Sequence, residues 1–540
     1  MVTTEGSEEL AAATSARERP GSRRRLARST AIFALATGLS RVLGLVREMV
    51  AAYYFGAGGK INAFTVAFQV PNLVRALVAD AALSAAFVPV FSELLEKGER
   101  ARAWRVASTV FWIMLLGLGG LTGLFILLAP LVIAPFGDQG GDRELAIGLS
   151  RVLFPIVALL GLSGLVVGIL NSYEHFTVPA LTPVAWNVAI IAGLAVGVPQ
   201  ADSMDTKLYV YAGAILVGTV IQVLLPVPWL RGRDGRLRVL VDWRDPAVKR
   251  VFALMVPVTL SLGLINFNAV VDTLFASRLI DAELAPTAID KAFRIYMLPQ
   301  GMFSVALATV LFPSLARLAT RGDYDGFRDT VSLGLRQIGF LLVPASAVAA
   351  VLAEPIVRLL YQRGEFTPGQ TPVVAGALAA FAAGLTFNGT MLMLNRAFFS
   401  LQSNWVPTLV ALGNLALNAA LDAAFYRLGT WGIPLATSLV NMGGTAALFV
   451  LLRRRLGRIE LRGAALAYLL ILAASALAAG AGFGVWWMLD DQLGRSTGAQ
   501  IVSLVVGLAA AADVYLIACI LLGVRELGAV LSLRPRVSRR

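Results

Sequence analysis

The stretch LSRVLGLVREMV, residues 39–50, has the apolar content of a membrane helix but carries Arg41, Arg47 and Glu48. Hydrophobic residues make up 57% of the chain and charged residues 15%, whereas a typical soluble domain is about 25% charged. This composition is that of an integral membrane protein. A charge at the centre of a membrane helix costs about 2.5–3.5 kcal/mol on insertion scales. The charges in this stretch therefore need compensating partners or water inside the protein.

Apolar segments long enough to cross a bilayer recur along the chain, since about 20 helical residues cover about 30 Å of hydrocarbon. Only helices and closed barrels satisfy their backbone hydrogen bonds in lipid, and the alternating strands of a barrel are absent from the sequence. We therefore expect an all-α fold with about 14 membrane spans. The predicted spans, numbered 1 to 14, are 29–52, 61–92, 104–134, 146–170, 179–198, 207–230, 251–277, 290–316, 327–353, 371–395, 405–425, 431–452, 463–488 and 499–523.

The basic residues are concentrated in alternate loops between these spans. The loops and tails on the side of the N-terminus hold 30 of the 46 lysines and arginines. Because cytoplasmic loops are enriched in Lys and Arg, both chain ends are predicted to be cytoplasmic, which agrees with an even number of spans. The net charge of +13 is then a topology signal, and no nucleic-acid partner is expected.

The chain contains an internal repeat with an offset of 224 residues. LLEKGE at 94–99 matches LATRGD at 318–323, and Leu170-Asn171 matches Leu394-Asn395 at the same offset. The offset grows by four at the Val-Pro pairs 178–179 and 406–407, as a loop insertion would produce. Six spans separate the copies, so both copies enter the membrane in the same orientation, as in transporters built from two parallel halves.

This repeat predicts two parallel six-helix lobes followed by two extra helices. The predicted parts are a disordered cytoplasmic tail (1–28), an N-terminal lobe of spans 1–6 (29–230), a basic cytoplasmic connector (231–250), a C-terminal lobe of spans 7–12 (251–452), spans 13 and 14 (453–523) and a basic cytoplasmic tail (524–540). A substrate site between the lobes is the default expectation for this architecture.

Arginines inside the predicted spans form the first candidate site. Arg41 and Arg47 lie about 120° apart around a helix, so they require a broad cavity or a position near the interface. Arg75 lies midway in span 2, and Arg294 follows Asp290 by four residues in span 8. Arginine suits phosphate, because its planar fork donates paired hydrogen bonds and stays charged. The physical interpretation is an anion pocket, and the alternative is a set of structural ion pairs or snorkelling side chains.

Two acidic residues accompany these arginines. Glu48 lies seven residues after Arg41 and on nearly the same helix face, so we expect it to neutralise Arg41 in part. Asp80 follows Arg75 within the same apolar stretch, VPNLVRALVADAALSAAFVPV at 70–90. Both belong to the predicted substrate site.

Oxygen-bearing side chains of the C-terminal lobe form the second candidate site. They are Asn268 and Asp272 in span 7, Asn418 and Asp422 in span 11, and Thr437 and Ser438 in span 12. Each Asn–Asp pair is spaced i,i+4 and therefore shares a helix face. An all-oxygen site suits Na⁺, or a proton on either Asp, and the alternative is hydrogen bonding that joins helices. Because the chain has no GxxxxGK[ST] loop, we expect coupling to Na⁺, H⁺ or the membrane potential and no other cofactor.

Five stretches carry a resemblance to a known family. They are SRVLGLVRE (40–48), FGAGGKINAFTVAFQVPNLVRALVADAALSAAFVPVFSE (55–93), VLFPIVALLGLSGLVVGILNSYEHFTVPALTPVAWNV (152–188), VALATVLFPSLAR (305–317) and RLLYQRGEFT (358–367). They resemble the lipid II flippases, the MurJ/MviN family, over about residues 29 to 450.

The resemblance implies a fourteen-helix fold of the multidrug/oligosaccharidyl-lipid/polysaccharide exporter superfamily in the bacterial plasma membrane. It implies a transporter that flips lipid II, the undecaprenyl-diphosphate-linked disaccharide-pentapeptide. Arg41, Arg47, Arg75 and Arg294 would then bind the diphosphate, and spans 13 and 14 would form a groove for the lipid tail. Membrane lipids and cell-wall synthesis proteins are the other expected partners.

Other functions stay open at this point. A flippase for another lipid-linked oligosaccharide, or a cation-coupled drug exporter, would share the superfamily fold. A membrane enzyme acting on the same lipid would need carboxylate clusters or histidines in a sizeable soluble loop, but the only histidine is His175 and the only cysteine is Cys519. A non-transporting scaffold would have no need for the charges inside the spans.

Overall fold

The computed structural model describes residues 20–78, 81–138, 141–173, 175–403, 405–457, 461–524 and 526–527. These residues form 19 α-helices and no strand, which confirms the all-α fold. The helices are α1 Pro20–Phe55, α2 Ile61–Val78, α3 Ala81–Glu96, α4 Arg100–Leu127, α5 Ala129–Ile133, α6 Arg143–Leu153, α7 Pro155–Ser172, α8 Thr177–Gly197, α9 Met204–Leu224, α10 Pro246–Phe275, α11 Ala285–Pro299, α12 Val305–Arg321, α13 Tyr324–Val351, α14 Ala353–Tyr361, α15 Gln370–Ser400, α16 Trp405–Phe425, α17 Gly432–Leu456, α18 Leu461–Leu493 and α19 Thr497–Leu521.

The chain is a multi-pass membrane protein. In the described part, 10 helical segments are long and apolar enough to cross a bilayer, and each coincides with one of the predicted spans. The remaining predicted spans fall in α1, in α2 with α3, in α10, and in α11 with α12. The total of fourteen stays a prediction.

The first helix starts earlier than its predicted span. The sequence predicts disorder over residues 1–28, whereas α1 extends back to Pro20. Proline suits the first position of a helix, because the N–H that it lacks would have no helical partner there. The arginines that follow are good helix formers. Residues 1–19, most of the predicted C-terminal tail (525 and 528–540) and the candidate site residue Asp80 lie outside the described residues.

The predicted span 290–316 is not a uniform helix. After α11 ends at Pro299, five residues, Gln300–Ser304, form a π-helical turn before α12 begins. Proline removes a backbone donor and Gly301 tolerates unusual torsions, so the sequence predicts a bend here. A π-helical turn inside a helix frequently marks a functional position.

Two glycines at matching positions of the repeat end their helices in the same way. Gly98 after α3 and Gly322 after α12 have φ of 76° and 70°. In both turns the glycine N–H donates to the carbonyl three residues back, and the next N–H donates to the carbonyl five residues back, at 2.9–3.2 Å. This is the Schellman cap, which favours glycine, and its recurrence supports the internal repeat.

The structure places the change of offset inside a helix. Helices α7 and α15 end at Ser172 and Ser400, and the next helices begin at Thr177 and Trp405. The two helix ends and the two helix starts are each 228 residues apart. The Leu-Asn pairs just before the helix ends are still 224 residues apart. The expected loop insertion is therefore wrong: the four extra positions add about one turn of helix to α15.

The described residues fall into two compact units. The first contains the described residues up to Val50, Val74–Leu127 and Arg151–Leu260, and the second contains Ala51–Leu73, Leu128–Ser150 and the described residues from Ser261 onward. The chain passes from one unit to the other within α1, α2, α6 and α10 and between α4 and α5, so the units differ from the two predicted lobes, which stay a prediction.

In the first unit, the predicted connector is anchored on the start of α4. The Arg102 guanidinium donates to both carboxylate oxygens of Asp245, at 3.1 and 3.0 Å. These hydrogen bonds lower the pKa of Asp245 below its usual value. The indole of Trp112 donates to the Arg238 carbonyl oxygen at 2.9 Å.

In the second unit, α18 and α19 pack on each other and on α13. The Tyr515 hydroxyl donates to the Phe340 carbonyl oxygen at 2.6 Å. Near the end of α18, Asp490 pairs with the buried Arg358 of α14. The Arg358 guanidinium also lies 5.5 Å from the centre of the Trp486 ring. The predicted lipid-tail groove of these two helices stays a prediction.

Candidate functional site

Arg47 is the buried centre of a polar cluster in the first unit. It is 9% exposed, and its neighbour Glu48 is 7% exposed. The Arg47 Nη2 atom donates to Glu48 Oε1 at 2.6 Å, and Nη1 donates to Asn187 Oδ1 at 3.2 Å. The guanidinium lies 4.6 Å from the centre of the Trp186 ring, close enough for a cation–π interaction. These contacts hold a positive charge in a fixed orientation between α1 and α8.

The partners of Arg47 are themselves held in place. Asn187 donates from Nδ2 to the Pro183 carbonyl oxygen at 2.9 Å and to the Ser40 carbonyl oxygen at 3.3 Å. Its amide oxygen therefore faces Arg47. The Arg47 Nε atom is buried and has no hydrogen-bond partner among the described residues, so the guanidinium has donor capacity left for an anion.

The other predicted arginines have different surroundings. Arg41 is exposed, Arg75 is half-buried in α2, and both lie in the first unit with Arg47. Arg294 lies in the second unit, where its Nε donates to Asp290 Oδ2 at 2.8 Å with the Arg294 side chain 33% exposed. The predicted i,i+4 pair is thus present, while a shared anion pocket stays a prediction.

Sequence reasoning missed the partners of Arg47. It proposed Arg41 as the residue that Glu48 neutralises, and the structure pairs Glu48 with Arg47. Asn187 was noticeable only as an asparagine in the helix after the repeated Leu-Asn pair. Nothing in the sequence shows that α8 lies beside α1, so Trp186 and Asn187 carried no usable signal.

A second cluster in the second unit joins two carboxylates through one amide. Asn418 of α16 donates from Nδ2 to Asp272 Oδ1 at 2.7 Å and to Asp422 Oδ2 at 2.9 Å. Asn268 of α10 adds a long contact of 3.5 Å to each oxygen of Asp272. The cluster therefore links α10 to α16, and it unites the two Asn–Asp pairs that the sequence singled out.

This cluster has the donor set that a hard cation prefers. Asn418 and Asp422 are fully buried, and Asn418 Oδ1 and Asp422 Oδ1 have no hydrogen-bond partner among the described residues. A buried acceptor without a donor is costly, and a cation or a proton would satisfy it. The cluster thus fits the group that the sequence predicts.

The two predicted hydroxyl ligands of α17 face other partners. Ser438 donates to the Ala380 carbonyl oxygen of α15 at 2.6 Å, and Thr437 donates to the Ile433 carbonyl oxygen of its own helix at 3.2 Å. Their protons are therefore used by backbone acceptors. Ser438 is buried where α17 crosses Gly384 of α15, since a Cβ on that glycine would lie 2.6 Å from the serine hydroxyl.

A set of contacts that the sequence did not reveal joins the α1–α2 turn to the α10–α11 turn. Asn62, 1% exposed, donates to the Glu283 carbonyl oxygen and accepts from the Thr287 N–H at 2.9 Å. The Thr65 and Thr287 hydroxyl oxygens lie 2.7 Å apart, and the Gly59 N–H donates to the Glu283 carbonyl oxygen at 2.6 Å. We call these contacts, together with those of the 364–370 loop, the clasp.

The 364–370 loop closes the clasp from a third side. The Glu365 N–H donates to the Tyr53 carbonyl oxygen at 2.9 Å, and the Ala57 N–H donates to Gln370 Oε1 at 3.0 Å. Gly364 has φ of 58°, and a Cβ there would overlap the Tyr53 carbonyl oxygen. The backbones therefore approach too closely for any side chain. All of the clasp lies in the second unit, although the predicted lobes assign Tyr53–Thr65 to one lobe and the other segments to the second lobe.

Comparison with known proteins gives one consistent family. Residues 51–497 match the family model described as lipid II flippase MurJ. The chain is 32% identical to the lipid II flippase MurJ of Burkholderia cenocepacia over 430 residues, which are 78% of this chain and 82% of that protein. It is 31% identical to the probable lipid II flippase MurJ of Synechocystis over 474 residues, which are 86% of this chain and 88% of that protein.

Solved structures share the fold. The lipid II flippase MurJ in an inward closed conformation superimposes with a TM-score of 0.73 at 22% identity, covering 90% of this chain and 98% of that chain. An inward-facing multidrug resistance MATE family transporter of the MOP superfamily gives 0.62 at 16% identity, covering 79% of this chain and 94% of that chain. Since the family model covers well over half of the sequence, this chain belongs to the lipid II flippase MurJ family.

Proposed function

We propose that this protein is a transporter, and not an enzyme, that moves lipid II from the cytoplasmic to the outer leaflet of the bacterial plasma membrane. The observation that carries the proposal is the buried Arg47, oriented by Glu48 and Asn187 with donor capacity to spare. A preoriented guanidinium suits a diphosphate. Arg41, Arg75 and Arg294, with the acidic Glu48 and Asp80, complete the proposed substrate pocket. Both chain ends lie in the cytoplasm in this proposal.

The clasp supports transport by alternating access. Its hydrogen bonds join turns that the predicted topology assigns to the outer ends of two different lobes. Hydrogen bonds between a few side chains and backbone groups are individually worth about 0.5–1.5 kcal/mol. They can therefore open and re-form during a transport cycle. In this proposal the clasp closes the outer side while the pocket faces the cytoplasm.

Lipid II translocation in proteoliposomes tests the proposal. Fluorescent lipid II is placed in the inner and outer leaflets, and the fraction accessible to a membrane-impermeant quencher is followed with time. We expect protein-containing liposomes to exchange lipid II faster than protein-free ones, while a cationic drug-like dye moves no faster. Folded protein that leaves the lipid II rate at the protein-free level would rule out the function. Acceleration of the dye alone would instead indicate a drug exporter.

We propose that the gradient of a cation that binds to the Asp272–Asn418–Asp422 cluster supplies the energy for transport. Asp422 Oδ1 and Asn418 Oδ1 are buried oxygens without donors among the described residues, and carboxylate and carbonyl oxygens are the ligands of hard cations such as Na⁺. A proton on either carboxylate is the other form of the same proposal. A membrane potential supplies about 2.3 kcal/mol per charge per 100 mV, enough to bias the direction of flipping.

Asp422→Asn is expected to abolish the response of flipping to an imposed cation gradient. The substitution keeps the size of the side chain and removes its charge, so the cluster loses a negative charge that would hold Na⁺ and a site for a proton. Flipping would be measured with inward and outward Na⁺ and proton gradients in turn. Asp513→Asn, which neutralises a carboxylate in α19 outside the cluster, is the matched control. If wild type and Asp422→Asn respond equally to every gradient, the cluster is structural.

A further inference from the structure

A pocket of about 660 Å³ lies in the second unit where α12, α15 and α17 end and α13 begins. Its polar lining includes Thr320, Tyr324, Arg328, Gln402 and Arg455. It thus contains two guanidinium groups, and none of the described residues that line it is acidic. A pocket of this size and charge suits a small anionic group.

The two arginines differ in how they are held. Arg328 donates from Nη1 to the Leu456 carbonyl oxygen at 3.0 Å, which fixes its guanidinium against the end of α17. It also pairs with Asp325, whose side chain is 88% exposed, and such a solvated pair competes weakly with a ligand. Arg455 is exposed. It closes the last turn of α17, whose three consecutive basic residues start at Arg453.

Gln402 is strained where it lines the pocket. Its φ of 53° is the only positive value at a non-glycine residue in the described part of the chain. The residue forms the cap of α15, because the Ser403 N–H donates to the Phe398 carbonyl oxygen at 3.0 Å. Glycine forms such a cap without strain, whereas glutamine adds a side-chain amide to the pocket. Backbone positions with strain of this kind cluster at ligand sites.

The internal repeat shows what occupies the same place in the first unit. There Asp234 of the connector accepts from Arg100 Nη1 at 2.8 Å and from the Tyr173 hydroxyl at 3.3 Å. The next connector residue, Gly235, packs so closely on Trp104 that a Cβ would overlap the indole ring. The first copy therefore fills this space with its own chain and places a carboxylate in it.

The three connector partners have counterparts in the open pocket. With the offset that relates Gly98 to Gly322, the counterpart of Arg100 is Tyr324 and that of Trp104 is Arg328. With the larger offset that relates the ends of α7 and α15, the counterpart of Tyr173 is Leu401. All three counterparts line the pocket.

The second copy has no comparable connector, because α17 ends at Leu456 and α18 begins at Leu461. No segment of the length that carries Asp234 and Gly235 can therefore fold back between the two helices. The described lining of this pocket therefore holds no carboxylate comparable to that of Asp234.

We propose that this pocket binds the headgroup of an anionic glycerophospholipid, with its phosphate between Arg328 and Arg455. Three of the helices that surround the pocket, α13, α15 and α17, are long and apolar enough to cross a bilayer, so we expect their ends at the pocket to lie at the level of lipid headgroups. Trp405, three residues beyond Gln402, is 78% exposed, and exposed tryptophans are typical of that level. Basic pockets at cytoplasmic helix ends bind anionic lipid headgroups.

Native mass spectrometry of the full chain in detergent, titrated with phosphatidylglycerol, tests this site. Arg328→Gln/Arg455→Gln is expected to raise the Kd for phosphatidylglycerol about tenfold or more, since it removes charge-assisted hydrogen bonds. The matched control is Arg453→Gln/Arg454→Gln, which removes the same charge from the same helix end outside the pocket lining. It should change the Kd less than about twofold if general attraction is minor. Equal weakening in both double variants would overturn the proposal.

A second variant keeps the test independent of the arginines. Thr320→Glu places a carboxylate in the pocket at the repeat position of Glu96, and it should weaken phosphatidylglycerol binding with both arginines intact. Phosphatidylcholine that binds as tightly as phosphatidylglycerol would contradict an anionic ligand. Displacement of the lipid by equimolar inorganic phosphate or polyglutamate would also overturn the proposal, in favour of a soluble anion or an acidic protein segment.

Discussion

Replacing Arg47 with alanine is expected to lower the lipid II flipping rate by about 100-fold or more. This buried guanidinium has five N–H donors, of which two donate hydrogen bonds to Glu48 and Asn187. Its Nε atom is without a partner in the described structure. We expect the remaining donors to bind phosphate oxygens. Loss of two charge-assisted hydrogen bonds, at about 1.5–3 kcal/mol each, accounts for this effect. The rate would be measured in proteoliposomes that contain equal amounts of folded protein.

A purely structural role for Arg47 makes a different prediction. Its removal breaks the buried ion pair with Glu48, and breaking a buried pair costs about 3–5 kcal/mol of stability. Adding Glu48→Gln removes the buried negative charge as well. We therefore expect Arg47→Ala/Glu48→Gln to regain most of the lost Tm but none of the flipping. A double variant with wild-type Tm and wild-type flipping would show that Arg47 only holds the fold together.

Arg358 provides a matched control for Arg47. It is 7% exposed, pairs with Asp490 and lies 5.5 Å from the ring centre of Trp486, so it has the same kinds of partner. Arg358→Ala/Asp490→Asn removes both partners of its pair in the same way, so it should keep most of the wild-type Tm and leave the flipping rate per folded molecule close to wild type. An equal loss of flipping in the two double variants would show that any buried arginine pair of this protein is needed.

The fold was largely predictable because membrane helices are long, apolar and limited by basic loops. Each of the 10 segments able to span a bilayer coincides with a predicted span, and the repeat recurs as identical caps at Gly98 and Gly322. Local errors arose where helix propensity extended a span, as at Pro20 in α1. Another arose where an added helical turn in α15 resembled a loop insertion.

The candidate sites were predictable only along single helices. The i,i+4 spacing places Asn418 and Asp422 on one face, and the structure joins them by a 2.9 Å hydrogen bond. The sequence grouped the pairs of α10 and α16 into one candidate site by their shared chemistry, but it could not show that Asn418 donates to Asp272. Asn62 was missed for the same reason, because its partners are backbone groups at 283 and 287, which carry no side-chain signal.

A disulfide across the clasp is expected to reduce lipid II flipping to the protein-free rate and to do so reversibly. The hydroxyl oxygens of Thr65 and Thr287 lie 2.7 Å apart, so cysteines there place two sulfur atoms within reach of a bond of about 2.05 Å after small rotations. The variant is Thr65→Cys/Thr287→Cys with Cys519→Ser, which removes the only native cysteine. If the clasp must open on each cycle, a covalent link there stops transport, and a reductant restores it.

The control crosslink joins two helices that alternating access does not need to separate. Ser346 of α13 and Thr386 of α15 have hydroxyl oxygens 3.1 Å apart, and both belong to the predicted C-terminal lobe. Ser346→Cys/Thr386→Cys with Cys519→Ser should crosslink comparably and leave flipping close to wild type, because each lobe moves as a body. Crosslinking would be quantified by mass spectrometry of intact and reduced protein. Undiminished flipping with the Thr65–Thr287 position fully crosslinked would mean that lipid II leaves by a route that does not open the clasp.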